Sequence, residues 1–316
     1  MPAVSVIIPA YNREDFIERA VRSALSQTFP DMEVIVVDDG SSDGTARKIA
    51  ALARSDERVR YLRHEENRGA QAARNSGIRA AMGDCIAFLD SDNEWLPHKL
   101  ERQMALFDNC GERLGVVFAG YREISHDQSD QWEYIPRIKG EVYRAILEQS
   151  CIEMNTIVVR RDVIERAGLC DERIRAFQEW DLCIRLARCS EFDCVPEALV
   201  RYHRHSSPTI SGDSARSAWG YADVVAAHRE EILRLCGART LSRHYLRVGH
   251  LFMLAGAVSR ARRFFLLAVE AAPFNMTAPM LYGISLLGSR GYGRVRAWKR
   301  SLLPPRESST VSVKRI

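Results

Sequence analysis

Short β-branched runs alternate with amphipathic stretches over the first ~210 residues, and this rhythm limits the possible folds more than any other feature. Val4-Ser5-Val6-Ile7-Ile8, closed by Pro9, reads as a strand, and residues 13–27 place Ile17, Ala20, Val21, Ala24 and Leu25 on one helical face. Glu33 to Val37 reads as a second strand, followed by a helix to Arg54 with Ser42 or Asp43 as its N-cap. Val59–Leu62 and Cys85–Leu89 read as strands on either side of a helix over 70–81. The repeated strand–helix–strand order predicts an α/β fold, with a Rossmann-like, mostly parallel sheet flanked by helices.

In such sheets ligands bind beyond the carboxyl ends of the strands, where strand order reverses. Those positions hold Pro9-Ala10-Tyr11-Asn12, Asp38-Asp39-Gly40-Ser41 and Asp90-Ser91-Asp92. Two carboxylates at i and i+2 on a post-strand turn can share Mg²⁺ or Mn²⁺, with substrate phosphates completing the shell. A carboxylate at Asp38 or Asp39 can accept a pyrimidine N–H or a ribose hydroxyl. Arg74, in the first turns of the helix after Asn67-Arg68-Gly69, can reach a phosphate or a base.

Composition narrows the classes. Lys plus Arg is 45 against 41 Asp plus Glu, too balanced for a general nucleic-acid binder. Hydrophobic residues at 46% exclude a largely disordered chain. No apolar run reaches the ~18–20 residues of a membrane helix, and the N-terminus lacks the basic region of a secretory peptide, so none is expected. The eight cysteines show no CxxC spacing, which favours buried free thiols in a reducing cytosol over zinc or disulfides.

Past residue 215 the pattern is helical. Tyr245-x2-Val248-Gly249-x2-Phe252, then Gly256, Ala261-x3-Phe265, Ala268 and Pro273, has the spacing of one tetratricopeptide-like hairpin, about 242–275. One unit cannot bury its own apolar face, so it must pack on the body of the chain or on a partner. Residues 290–316 carry eight basic side chains and one acidic, either as a solvated tail or as a contact with an anionic inner membrane face.

Jointly, Ile7-Ile8-Pro9-Ala10-Tyr11-Asn12, Val36-Val37-Asp38-Asp39-Gly40-Ser41-Ser42-Asp43-Gly44-Thr45, Asn67-x-Gly69-x4-Arg74-Asn75-x-Gly77 and Phe88-Leu89-Asp90-Ser91-Asp92 resemble the family 2 glycosyltransferases. These are inverting enzymes of GT-A fold that use nucleotide-diphosphate sugars. The resemblance covers about residues 3–210 and implies a catalytic domain over 1–212, which leaves the helical pattern over 213–289 as an extension and 290–316 as a basic tail. It implies that Pro9, Tyr11 and Asp39 hold nucleobase and ribose, with Asn12, Asp38, Asn67 and Arg74 in the same donor site. Asp90 would contact ribose and a metal-bound water, and Asp92 would ligate Mg²⁺ or Mn²⁺.

Gln178-Glu179-Trp180-Asp181-Leu182 resembles the family's acidic motif. The general base, usually Asp, falls on Glu179, and Asp181 stays a candidate. In Tyr202-His203-Arg204-His205, the resemblance makes His205 a metal or diphosphate ligand. No QxxRW signature occurs, so transfer of one sugar, with a UDP-sugar favoured, is expected rather than polymerisation. The implied setting is cytoplasmic, at most peripheral to the membrane, in cell-envelope polysaccharide or glycolipid synthesis on a glycan or lipid-linked acceptor. Arg122, Trp132, Tyr134 and Arg137 lie in the acceptor region and read as packing and surface residues. The alternative is a catalytically inactive GT-A domain acting as a nucleotide-sugar-binding or scaffold protein through its helical extension. A nicotinamide dehydrogenase lacks its GxGxxG after the first strand.

Overall fold

The computed structural model describes residues 1–111, 113–125, 131–204, 213–294 and 312–315. β1 (Val4–Ala10) and β2 (Met32–Asp38) are buried along their whole length, as continuous β-branched runs are in a sheet covered on both faces. β1 pairs in parallel with β2 and β4 (Cys85–Phe88), and β2 with β3 (Val59–Arg63). Beyond β4 the sheet turns mixed. β8 (Val158–Arg160) is antiparallel to β4, β6 (Leu114–Ile124) to β8, β7 (Gln131–Ile135) to β6, and β10 (Ser312–Arg315) to β7. β9 (Glu191–His203) runs parallel to β6 and pairs antiparallel with the short β5 (Glu94–Trp95). The expected mostly parallel sheet therefore describes β3-β2-β1-β4, the half that places the strand ends of interest.

β1 runs on through Pro9 rather than stopping before it. The carbonyl of Ile7 accepts from Leu89 on the β4 side, whereas that of Ala10 accepts from Asp39 on the β2 side. Alternation puts the missing donor of Pro9 on the β4 side, past the last pair Ile7–Phe88, where no bond is lost.

α1 (Ile17–Leu25), α2 (Thr45–Ser55) and α4 (Lys99–Asn109) cover one face, in a cluster with Val6, Ile8 and Val36. Gly44, not Ser42 or Asp43, takes the N-cap place of α2, and its N–H donates to Glu14 at 2.8 Å. Asp43 serves from one residue further out, accepting from the Thr45 N–H. The other face is covered by α3 (Ala70–Ala80), α5 (Tyr143–Glu148), α6 (Arg161–Ala167) and α7 (Gln178–Ala187).

That second apolar cluster runs without a break into α8 (Ser214–Ala227), α10 (Ala238–Leu254) and α11 (Val258–Ala271). The short α9 (Arg229–Glu231) and a π-helical turn Ile232–Cys236 join α8 to α10. α10 and α11 form the expected hairpin, with Val248, Phe252, Ala261, Phe265 and Ala268 fully buried. Its glycine is needed, since a Cβ at Gly249 would lie 2.4 Å from Phe265. The hairpin packs on its own chain, through the Trp219–Phe252 ring contact at 5.1 Å. α12 (Thr277–Ser285) follows, and no helix among the described residues is long and apolar enough to cross a membrane. All eight cysteines are free, but only some fit the buried-thiol expectation: Cys110 and Cys189 are exposed.

Candidate active site

The parallel register brings the ends of β1, β2 and β4 to one edge. The loop after β1 touches both neighbours. Asn12, at φ 49°, donates its N–H to Ser41 Oγ at 3.0 Å and accepts the Ser42 N–H on Oδ1 at 3.0 Å. Arg13 Nε lies 3.8 Å from an Asp92 oxygen, and Arg19 donates to the Asp92 carbonyl at 2.6 Å. The loop after β1 thus bridges the turn that follows Asp39 and the turn that holds Asp92. Pro9 is buried in the strand, whereas Tyr11 is exposed at the rim.

The two carboxylates after β2 are turned into the protein. Asp38 is fully buried, accepting the Ser41 N–H at 2.9 Å and the Tyr61 hydroxyl at 3.0 Å, with Arg63 at 3.6 Å. Asp39 accepts the N–H groups of Arg68 and Gly69 at 3.0 and 2.7 Å and lies 2.7 Å from His64 Nδ1. His64 Nε2 is in turn 2.8 Å from Ser76 Oγ on α3. Asn67 accepts from Gly69 as well. Gly40 permits this packing: at φ 75° its missing side chain leaves room for the Glu66 backbone 2.7 Å away. The structure thus makes Asp38 a brace of its own turn, and Asp39 a clamp that shapes the 67–69 loop at the entrance to α3.

At the end of β4 a denser charge cluster forms. Arg74, on α3, donates to Asp90 Oδ1 at 2.6 Å and to Gln71 at 2.7 Å, and its Nε is buried without a hydrogen-bond partner. Asn155 is fully buried. It donates to Asp90 Oδ2 at 2.9 Å, accepts the Asp90 N–H at 2.6 Å and donates to Glu153 at 3.2 Å. Its carbonyl accepts from Trp95 Nε1, and Gln103, bonded to the buried Lys99 ammonium, donates to the Thr156 carbonyl. Burial pushes the Lys99 ammonium well below its usual range. This scaffold fixes the turn Met154–Thr156 and the Glu153 before it.

Glu179, in the first turn of α7, is half-buried. Burial pushes its carboxyl up to about 6, with Asp90 adding to the rise and its own backbone N–H and Arg74 opposing it. Burial next to Glu179 and Asp90 pushes Glu153 well above the usual carboxylate range, despite Asn155 and Arg74. Arg74, Asp90, Glu153, Asn155 and Glu179 thus form one electrostatic unit. Glu153 and Asn155 were not read from the sequence. Their signal is weak, two polar residues alternating with Ile152 and Met154 before a strand.

Asp181 points elsewhere. It is buried between Arg185 Nη2 and His228 Nε2, both at 2.8 Å. Burial raises its carboxyl, but His228 and Arg185 overcome this and hold it below the ordinary range. Two positions apart on a helix is about 200° of rotation, so Glu179 and Asp181 cannot face the same way. Asp181 and Trp180 tie α7 to the helical extension, Trp180 lying 4.8 Å from Tyr221 and 5.3 Å from His244.

For a divalent cation, the protein offers the carboxylate of Asp92, and Asp90, whose two oxygens are held by Arg74 and Asn155, can join it through a bridging water. Among the described residues no three His, Cys, Asp or Glu side chains gather around one point. That donor set fits Mg²⁺ or Mn²⁺, which are commonly held by one or two carboxylates plus substrate phosphates. His205 lies outside the described residues. β9 leads toward it, with the His203 N–H bonded to Asn93 Oδ1 at 2.9 Å, beside Asp92.

The family model described as Glycosyl transferase family 2 matches residues 5–167. Bacillus subtilis TuaG, named as a teichuronic acid biosynthesis glycosyltransferase, is 37% identical over 161 residues, 51% of this chain and 63% of its own. Escherichia coli WfgD, named as a UDP-Glc:alpha-D-GlcNAc-diphosphoundecaprenol beta-1,3-glucosyltransferase, is 35% identical over 51% of this chain and 61% of its own. The chain spans less than two thirds of the length of these relatives. Residues 1–349 of S. aureus TarS, solved with UDP-GlcNAc, share the fold at a TM-score of 0.69 and 18% identity, over 99% of this chain and 97% of that one.

Proposed function

The chain belongs to glycosyl transferase family 2, and from that premise we propose that it moves one sugar from a nucleotide-diphosphate sugar to an acceptor hydroxyl with inversion. The observation that carries this reading is the unit built on Arg74, which joins Asp90 at a strand end to the field of Glu179 on α7. A UDP-sugar is the proposed donor, in keeping with the ligand of the TarS structure and the name of WfgD. A lipid-linked glycan of the cell envelope is the proposed acceptor, from the names of TuaG and WfgD.

In this mechanism Glu179 takes the proton from the acceptor hydroxyl. A carboxyl near 6 is ionised at neutral pH yet basic enough to receive that proton. The acceptor oxygen then attacks the anomeric carbon from the face opposite the diphosphate, and configuration inverts. Asp181 is left out, since both of its oxygens are taken by Arg185 and His228. Burial beside Glu179 and Asp90 disfavours charge on Glu153, which limits the negative charge next to Glu179. Arg74 keeps Asp90 oriented and puts a positive charge beside the donor site. Asp39 sets the 67–69 loop against which the nucleoside lies, with Tyr11 and Asn12 at the rim. Asp92 and Asp90, with His205 as a further ligand, would hold Mg²⁺ or Mn²⁺, which when bound neutralises charge on the leaving diphosphate.

A thermal-shift series with nucleotide-diphosphate sugars and Mn²⁺ tests the donor. UDP-sugars should raise the melting temperature by mass action, and the rise should vanish in Asp92→Ala. A shift with UDP-sugars but no sugar transfer would favour the inactive-domain reading, and no shift with any nucleotide sugar or with UDP would defeat the proposed donor site.

A further inference from the structure

We propose that Phe274, Met276, Met280, Leu286 and Leu287 form a docking surface for an anionic lipid bilayer, with Arg290 and Arg294 facing its headgroups. From Pro273 to Ser289 the chain carries no charged residue. α12 is nonetheless not buried. Ala278 and Ser285 pack inward, while Phe274 is 94% exposed, Met276 75% and Leu287 64%. Five large apolar side chains exposed within fourteen residues are of the kind that mark an interaction site.

The surface is fixed at both ends. Asn275 sits between Phe274 and Met276; its N–H donates to the Ala272 carbonyl at 2.9 Å and its side chain to Ser242 Oγ at 3.3 Å. Tyr292 is buried, its hydroxyl 3.0 Å from His250 Nδ1. Arg290 and Arg294 stand two residues to either side of it, both exposed. The apolar side chains are thus presented by an anchored turn rather than a loose end, and they are followed at once by cations. Eight basic residues and one acid lie between 290 and 316. An apolar centre with a strongly basic flank complements an anionic membrane, where side chains enter the acyl boundary and cations meet phosphates. For its purpose this rests on the proposed lipid-linked acceptor, but vesicle binding is measured without any transfer reaction.

The test is co-sedimentation of the full chain with phosphatidylcholine vesicles, with and without phosphatidylglycerol. Wild type should bind the anionic vesicles and not the neutral ones. Full-length F274S/M276S/M280S/L287S, altered only at exposed positions and expected to melt as wild type does, should bind at least about tenfold more weakly. R290E/R294E should bind more weakly by roughly fivefold or more per exchange. Three results would overturn the proposal: no binding by wild type, undiminished binding by the serine variant, or a concentration-dependent dimer that the serine variant abolishes. The second would assign binding to the basic tail alone, and the third would make a second copy the occupant. Loss of donor binding with vesicle binding intact would defeat the proposed reaction and leave this surface standing.

Discussion

Two pairs of carboxylates, Asp38 with Asp39 and Glu153 with Glu179, sit in the same half of the molecule and are treated in opposite ways. The aspartates are met by donors on every side: backbone N–H groups of Ser41, Arg68 and Gly69, the Tyr61 hydroxyl and the His64 ring. The glutamates are crowded by each other and by Asp90, with Asn155 serving Glu153 and Arg74 shared among them. A carboxylate supplied with donors shapes a loop. One deprived of them holds a proton more tightly and can pass it on.

The largest effect on stability should come from a carboxylate of the first kind outside either pair. Asp181→Ala strands His228 and Arg185 in the α7–α8 joint and should lower unfolding free energy by about 3–5 kcal/mol in a denaturant titration. A loss below about 1 kcal/mol would show that the joint is solvated like a surface pair. Next, Asp39→Asn should cost about 1–3 kcal/mol, because the amide cannot accept from two backbone N–H groups and His64 together. Glu153→Gln should cost less, since the amide keeps an acceptor for Asn155 and burial already disfavours charge on Glu153. If the two substitutions cost the same, the distinction between the pairs fails.

The smallest effect separates the pairs by pH. Glu153 and Glu179 have folded values above the ordinary 4.5, so the folded state holds protons that the unfolded chain releases. Each contribution is complete below 4.5 and is lost as pH rises through the folded value, which is about 6 for Glu179. In metal-free protein the melting temperature should show this decline, and Glu179→Gln should flatten it. Asp181 has a lowered value and acts in the other direction, stabilising above its ordinary 3.8 and losing that contribution as pH falls through the folded value. A stability curve without any fall between pH 4.5 and 6 would contradict the first assignment.

The parallel half of the fold was legible because Val34–Val37 and Ile86–Phe88 are strands by composition alone, and their ends carry the acids. The mixed half was not. β5 exists because Glu94 and Trp95 meet Arg201 and Val200, more than 100 residues later in the chain. Glu153 joins the site because Asn155, Trp95 and Gln103 fix a turn with no strong local signal. The motif singles out Glu179 as a candidate, and its burial beside Arg74 and Asp90 comes from the fold. The diversion of Asp181 was not, since it depends on His228, 47 positions away. His64 was passed over for the same reason, as its partners Asp39 and Ser76 lie on other elements.

The most direct test of the account is single-turnover sugar transfer by Glu179→Gln beside a titration of the same variant with the nucleotide-sugar donor. The account predicts unchanged donor affinity and a rate about 10²–10⁴-fold lower, the loss expected when a positioned base is removed. A near-normal rate would take the proton-accepting role away from Glu179 and contradict the mechanism built around it.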